Sequence, residues 1–570
     1  MALNESVHGP VVNTDAPGED TESTARAAAR DFLERVPPPE APTVTYRSAG
    51  RVVLWGDGSV AIQAAQELGR RGLACTVIIE GGVVPVREGR GPEYGFTVVQ
   101  GRMVSVQGHL GAFRVALQDG ENTVDLAEYL GLSGFDIVVD MGATPYLDWP
   151  VLPLGYHACG PDPTRLAQAL DQAARLVGDF SKPRFFAYDP QICAHGAAGV
   201  NGCTRCLDSC PTRAILSVKD RIQVDPYLCQ GEGICSTVCP TGAIRYAYPA
   251  FDSLLANLRE ALARYRQAGG IQPALMFHDL DDHALEQALS GVPEYVVPVA
   301  LKRMAAAGIE LWLLALAHGV RQVLLIGRAG MPRDVFRALN AQVVLAQAFL
   351  GSLGYDPARV LSLTFRGEQG LERRVSRIPP LDPTADRELP VVEGKREAMG
   401  RALEALYDRA PAHPAVSELP EGAPYGEVRI DPDGCILCMA CVHVCPGRAL
   451  RGEAGTPRLF FVEDDCVQCG LCAGNCPEGA VTLAPRFVWS RQTRKSARLL
   501  HEERPFHCIR CGTPFTTASM LQRMTERLEG NWVFAQSASA RRLQMCPRCR
   551  MLDVSAEGMP GPPGAETGEV

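Results

Sequence analysis

Nowhere in its 570 residues does the chain hold the roughly twenty unbroken apolar residues that a membrane-spanning helix needs. The longest candidate, 309–327, is interrupted by His318, Arg321 and Gln322 and reads as a buried helix followed by a strand over 322–326. There is no basic surplus either. With 56 Lys and Arg against 65 Asp and Glu the net charge is −9, which argues against nucleic acid as the main partner. No phosphate-binding P-loop, Ser–His–Asp set, paired carboxylates or open metal site is recognisable, so no substrate chemistry is expected of the chain itself. Residues 1–20 are polar and acidic rather than a signal peptide, and a reducing cytoplasmic setting is expected. Cysteine is missing from all of 251–370, although the chain has 21.

What is present is organised around 435–477. Cys435, Cys438, Cys441 and Cys445-Pro446 are followed by Cys466, Cys469, Cys472 and Cys476-Pro477. Both halves read C-x2-C-x2-C-x3-C-P, a spacing that lets three thiolates of one loop grip one cubane while the fourth ligates the other. The proline then turns the chain away from the metal. Disulfides or zinc fit badly, because zinc sites rarely use two interlocked four-cysteine runs. The segment 426–485 resembles dicluster ferredoxins, which implies two [4Fe–4S] clusters.

Residues 181–250 carry a less regular version. Cys203, Cys206 and Cys210-Pro211 keep the spacing, Val200 stands where the first cysteine belongs, and Cys193 is the natural substitute if the glycine-rich insert loops back. The partner run has Cys229, Cys235 and Cys239-Pro240, with Glu232 at the second cysteine position. The crossover rule assigns Cys193, Cys203, Cys206 and Cys239 to one cluster and Cys210, Cys229 and Cys235 to the other. Glu232 is either a hard oxygen ligand to that second cluster or a bystander beside a [3Fe–4S] core. Three to four [4Fe–4S] clusters are therefore expected in all, one of them with [3Fe–4S] as its alternative. A shared C-P-x-x-A signature at Cys210, Cys239, Cys445 and Cys476 supports the internal repeat.

The rest of the chain is expected to fold as α/β and α+β layers. Residues 1–50 read as a flexible tail with one short helix over 24–36. Over 51–180 a strand, Gly56-Asp57-Gly58-Ser59-Val60-Ala61 and an alanine-rich helix form a G-x-G-x-x-A fingerprint, with Glu80 closing the next strand. With the strand leading to Gly142 and the turn at Gly160-Pro161, this region resembles a shortened flavin subunit of heterodisulfide reductase. That resemblance implies a Rossmann-like domain with FAD near Gly56, Gly58, Ala61, Glu80 and Gly142. Residues 251–370 resemble the delta subunit of methyl-viologen-reducing hydrogenases, from the strand at 273–277 through Pro298 and Gly308 to 318–327. Those subunits carry cysteines and this stretch has none, which implies a docking or structural α/β domain with packed or surface histidines at His278, His283 and His318. Residues 371–425 read as a linker holding one helix over 396–407, and 486–504 as a solvated basic surface or a contact to an acidic partner.

In the 486–570 tail, Cys508-x2-Cys511 and Cys546-x2-Cys549 suit a tetrahedral zinc site, with a fifth iron–sulfur cluster as the alternative. The expected function is electron relay through iron–sulfur clusters within a cytoplasmic hydrogenase, dehydrogenase or reductase complex. Its alternatives are an FAD-dependent oxidoreductase subunit and an accessory protein maturing a metalloenzyme such as formate dehydrogenase.

Overall fold

A computed structural model describes residues 19–79, 87–89, 95–119, 121–281, 283–365, 375, 379, 389–392, 394–453, 455–528 and 537–557. The chain divides into two compact units. The first comprises Met1–Asp189, Arg205–Ser217 and Ile222–Ala410, the second Pro190–Thr204, Val218–Arg221 and Pro411–Val570.

The first unit contains two parallel sheets. In the six-stranded one, Tyr156–Ala158, Ile137–Asp140, Arg51–Gly56, Ala74–Ile79 and Thr97–Gln100 run parallel in that spatial order, and Arg87–Gly89 closes the edge antiparallel. The near-continuous burial of Val52, Val53 and Leu54 and of Ile137, Val138 and Val139 is what a sheet covered on both faces demands. Gly58–Arg70 covers one face with Ala61, Ala64, Ala65 and Leu68, small residues that let the helix approach closely.

The second sheet orders Val296–Leu301, Ala274–Asp279, Gln322–Gly327 and Val360–Thr364, all parallel. Helix Ile309–Ala317 is buried on every side, which explains why its sequence is apolar apart from Glu310, whose carboxylate pairs with Lys395. Strand Val296–Leu301, built around Pro298, is one that sequence periodicity did not reveal. The helix expected in the linker is present as Lys395–Tyr407, but it is no free spacer. Ala398, Met399, Ala402, Leu403 and Leu406 are buried where it packs on Ile309–Ala317.

The expected flexible tail needs correction as well. Helix Glu19–Arg35 packs on helix Phe251–Gln267, where the Tyr265 hydroxyl donates to the Glu22 carboxylate. Strand Thr43–Ser48 pairs antiparallel with Gly178–Pro183 and buries Tyr46. The proline run that ends the helix is followed by β-branched alternation (Thr43, Thr45 out; Val44, Tyr46 in), a strand signal.

In the second unit, Val481–Val488 pairs with both Val416–Glu418 and Gly426–Ile430, and Thr456–Phe461 with both Leu450–Glu453 and Arg498–Glu502. The basic stretch is solvated at Arg491, Lys495, Arg498 and Arg504, but two of its arginines turn inward. Arg494 is buried, bonded to Asp464 and to the carbonyls of Val488 and Trp489, and Arg486 pairs with Glu427 and Glu463. Glu463 and Asp464 form the turn before the second cysteine run, so Arg486 and Arg494 brace it.

Candidate metal centres

The two C-terminal runs repeat in backbone as well as in sequence. Leu437 and Gln468 both take positive φ (52° in each), as do Met439 and Gly470 (60° and 85°) before the short helices Ala440–His443 and Leu471–Gly474. The result is two cavities. One is lined by Cys435, Cys438, Cys441 and Cys476, the other by Cys445, Cys466, Cys469 and Cys472. Each takes three thiols from its own loop and one from the other.

The C-P-x-x-A signature has a physical meaning that spacing did not expose. The residue three after the last cysteine sits at positive φ in all four copies: Arg213 at 50°, Gly242 at 74°, Arg448 at 53° and Gly479 at 64°. In the two C-terminal copies that turn aims the alanine amide back at sulfur, with Ala449 N–H donating to Cys445 Sγ at 3.2 Å and Ala480 N–H to Cys476 Sγ at 3.3 Å. Both alanines are buried. The N-terminal copies add threonine hydroxyls, Thr212 at 3.4 Å from Cys210 Sγ and Thr241 at 3.6 Å from Cys239 Sγ.

Burial pushes the Cys441 and Cys472 thiols up to about 12, and neighbouring cysteines add to it. Thiolates persist in such nests only beside compensating positive charge. The donor set and its electrostatics therefore fit an iron–sulfur core.

The irregular module is split in its residues. In the second unit, Gly196–Ala197 and Val200–Asn201 form a hairpin turning at Ala198 and Gly199. The ladder continues through Gly202 N–H to His195 O and Cys203 N–H to Ala194 O, which sets Cys193 one residue beyond the Cys203 rung. Gly202 faces the dicluster. A Cβ there would lie 2.6 Å from Leu471 Cγ and 3.1 Å from the Cys469 carbonyl.

In the first unit, Cys206, Cys210, Cys229, Cys235 and Cys239 lie in and around the short helices Arg205–Ser209 and Ile234–Val238, which pack on Arg333–Ser352. Burial raises the Cys235 thiol well above its usual value, and Cys229, Cys210 and Cys206 raise it further. Lys182 Nζ donates to the carbonyls of Tyr227 and Cys229, and Lys395 Nζ to those of Ser236 and Thr237. Sequence reading missed both lysines, because their partners are backbone groups more than 40 residues away. Glu232 is buried and bonded to Arg303 and Arg328. His278 and His318 are buried packing residues.

In the tail, the four sulfurs of Cys508, Cys511, Cys546 and Cys549 all lie within 4.8 Å of one another, Cys511 to Cys546 at 3.7 Å. A tetrahedral ion with metal–sulfur bonds of about 2.3 Å sets its sulfurs about 3.8 Å apart. A cubane holds its thiolates wider, one outside each iron. Desolvation opposes ionisation of Cys508, but amides of Cys546, Cys511 and Arg510 outweigh it and hold that thiol at about 6.

The flavin fingerprint is built differently from its expectation. Gly56 and Gly142 make room for the protein itself: a Cβ on Gly56 would lie 2.7 Å from Met141 Cβ, and one on Gly142 2.7 Å from the Trp55 ring. At the helix start, Asp57 Oδ1 already accepts from the Ser59 and Val60 amides, which a pyrophosphate would need. Ala61 is buried against the sheet, and Glu80 lies outside the described residues. The residues present do not fit a dinucleotide.

Interlocked four-cysteine nests of this kind define iron–sulfur electron-transfer proteins. Comparison with known proteins agrees: the 4Fe-4S dicluster domain model matches residues 201–243 and 434–480. The chain is similar to pyruvate synthase subunit PorD of Thermotoga maritima, 43% identical over 51 residues, 9% of this chain and 50% of that protein. It is 37% identical over 76 residues to a ferredoxin of Pyrobaculum islandicum (13% of this chain, 69% of that one). To a ferredoxin of Thermococcus litoralis it is 32% identical over 57 residues, 10% of this chain and 97% of that one. The chain thus belongs to the 4Fe–4S dicluster ferredoxin family. It spans about half the length of PorD and of the ferredoxin-type protein NapF of Escherichia coli. No helix among the described residues is long and apolar enough to cross a membrane.

Proposed function

We propose that the chain is a cytoplasmic relay that passes electrons between a donor and an acceptor within a larger redox complex. Two [4Fe–4S] clusters in the C-terminal nests and two clusters in the 193–239 module would carry them. The interlocked C-terminal nests are the observation that carries this reading. The pyruvate synthase subunit among the relatives supports an oxidoreductase as the partner. The 251–370 domain acts as a scaffold, since Lys395, Thr237 and the Arg333–Ser352 helix tie the cysteine helices to it.

The capped helix at Asp57 argues against a flavin, so the 51–180 domain is assigned a structural role, and the released small molecules should contain no flavin. The tail site is assigned to zinc on its sulfur separations. Anaerobically purified protein should carry about fifteen irons in four clusters. An iron count near eight with Cys203, Cys206, Cys229 and Cys235 freely alkylated would remove the N-terminal module from the relay. Co-purification under anaerobic conditions should retrieve the partner oxidoreductase.

A further inference from the structure

Three adjacent parallel strands of the central sheet end close together. Ala274–Asp279 delivers Asp279, Val296–Leu301 runs into Arg303, and Gln322–Gly327 delivers Arg328. The carboxyl ends of parallel strands are where open α/β sheets hold their ligands. Here that position is taken by a side chain of the chain itself. Glu232 accepts from Arg303 Nε at 3.1 Å, and both its oxygens face an Arg328 terminal nitrogen, at 3.5 and 3.4 Å.

Each arginine is fixed from its other side. Arg328 donates to Asp279 at 2.6 Å, and Arg303 reaches both Asp281 oxygens at 2.8 and 2.9 Å. Asp279 also accepts from the Met304 amide at 2.7 Å. The loop has no slack. Gly231 and Gly233 flank Glu232 at φ of 77° and 78°, and a Cβ on either would meet the Phe185 ring at 2.7 Å or Ala306 at 2.6 Å. Thr237 Oγ1 donates to the Ala305 carbonyl, which docks the following helix on the same turn.

We propose that Arg303 and Arg328 are positioning residues that withhold the Glu232 carboxylate from iron, leaving Cys210, Cys229 and Cys235 as the three thiolate ligands of a [3Fe–4S] centre. The inference rests on the reading that the 193–239 module is loaded. Ligating iron would require the carboxylate to leave two half-buried guanidinium groups, each already shared with an aspartate. A bound anion would be stabilised at these strand ends by the same arginines. Glu232 supplies that anion internally and is held there by it.

The full-length chain, purified anaerobically, provides the test by EPR and Mössbauer spectroscopy together with iron counting. The oxidised protein should show a [3Fe–4S]+ signal that vanishes in Cys229→Ser. Glu232→Gln, which keeps the arginine hydrogen bonds, should leave both signal and iron count unchanged. In Arg303→Ala/Arg328→Ala the freed carboxylate should bind a fourth iron. Dithionite supplies one electron to give [3Fe–4S]0, which takes up one Fe2+ to give [4Fe–4S]2+, and the oxidised signal is lost. Adding Glu232→Gln to that variant should restore the signal. Arg303→Lys/Arg328→Lys, should the alanine variant not fold, is expected to keep the signal. A native protein without the signal that acquires it in Glu232→Gln would overturn the proposal, since Glu232 would then be the fourth ligand. A full four-iron centre unaffected by Glu232→Gln would overturn it too. Free alkylation of Cys210, Cys229 and Cys235 with the signal absent would instead mean an empty module and would take down the relay reading there.

Discussion

Each last cysteine of a run depends on a turn that aims a hydrogen-bond donor at its sulfur. Losing a hydrogen bond to charged sulfur costs about 1 kcal/mol, which corresponds to ~40 mV for a one-electron couple. Thr212→Val and Thr241→Val should therefore lower the midpoint potentials of their clusters by that order, because the hydroxyls favour the more negative reduced core. Redox titration followed by EPR measures it; unchanged potentials would show that the hydroxyls do not donate to sulfur. The same turn imposes φ of 64° on Gly479. A Cβ there meets nothing within 4 Å, so the cost of Gly479→Ala is conformational, about 1–2 kcal/mol of stability by chemical denaturation, with iron content retained.

Among the elements, the helix Ile309–Ala317 is the one most surrounded. Trp312 is fully buried within it, and Trp312→Ala should cost about 3–5 kcal/mol. Leu403, in the helix that packs against it, should cost about 2–5 kcal/mol when replaced by alanine, far more than a linker residue would. Both are read by equilibrium unfolding, and a negligible effect of Leu403→Ala would mean that helix is loosely docked. The hairpin Gly196–Asn201 leads into a close approach within the second unit. Gly202→Val would drive a side chain into Leu471 and the Cys469 carbonyl. It should lower iron retention at Cys445, Cys466, Cys469 and Cys472, read by iron counting, and an unchanged count would show that the hairpin gives way.

On the scale of the molecule, each unit holds cysteine loops in place with parts of the chain remote in sequence. In the second unit the tail helix Ala518–Leu528 brings Arg523 and Arg527 to Glu478, and Thr517 Oγ1 donates to the Ile436 carbonyl. Glu478 and Ile436 both line the cavity of Cys435 and Cys476, so the tail covers that centre. Elemental analysis should find about one zinc per chain that survives iron bleaching. Cys511→Ser should lose it and hasten oxygen damage to the covered cluster. Iron in place of zinc, lost in the same variant, would reassign the site.

Much of this was legible in the residues. Short-range spacing identified the cysteine runs and the tail pairs, because a loop of three to ten residues presents its own ligands together, whereas the αL turns behind C-P-x-x-A came only with the backbone. Periodicity located the central strands of both parallel sheets and the Lys395–Tyr407 helix. Fate in the tertiary structure was another matter. The periodicity of 396–407 says nothing about what that helix packs against, and the basic stretch at 486–504 gave no hint that Arg494 is buried. Gly56 and Gly142 match a fingerprint whose glycines normally admit a ligand, but here they admit Met141 and Trp55. Glu232 illustrates the limit best. Its position in the run marks a ligand site, whereas its partners Arg303 and Arg328 stand 71 and 96 residues away. Local spacing decides which groups are available to a metal. Only long-range packing decides which of them are already engaged, because a carboxylate goes to whichever positive charges the fold brings to it.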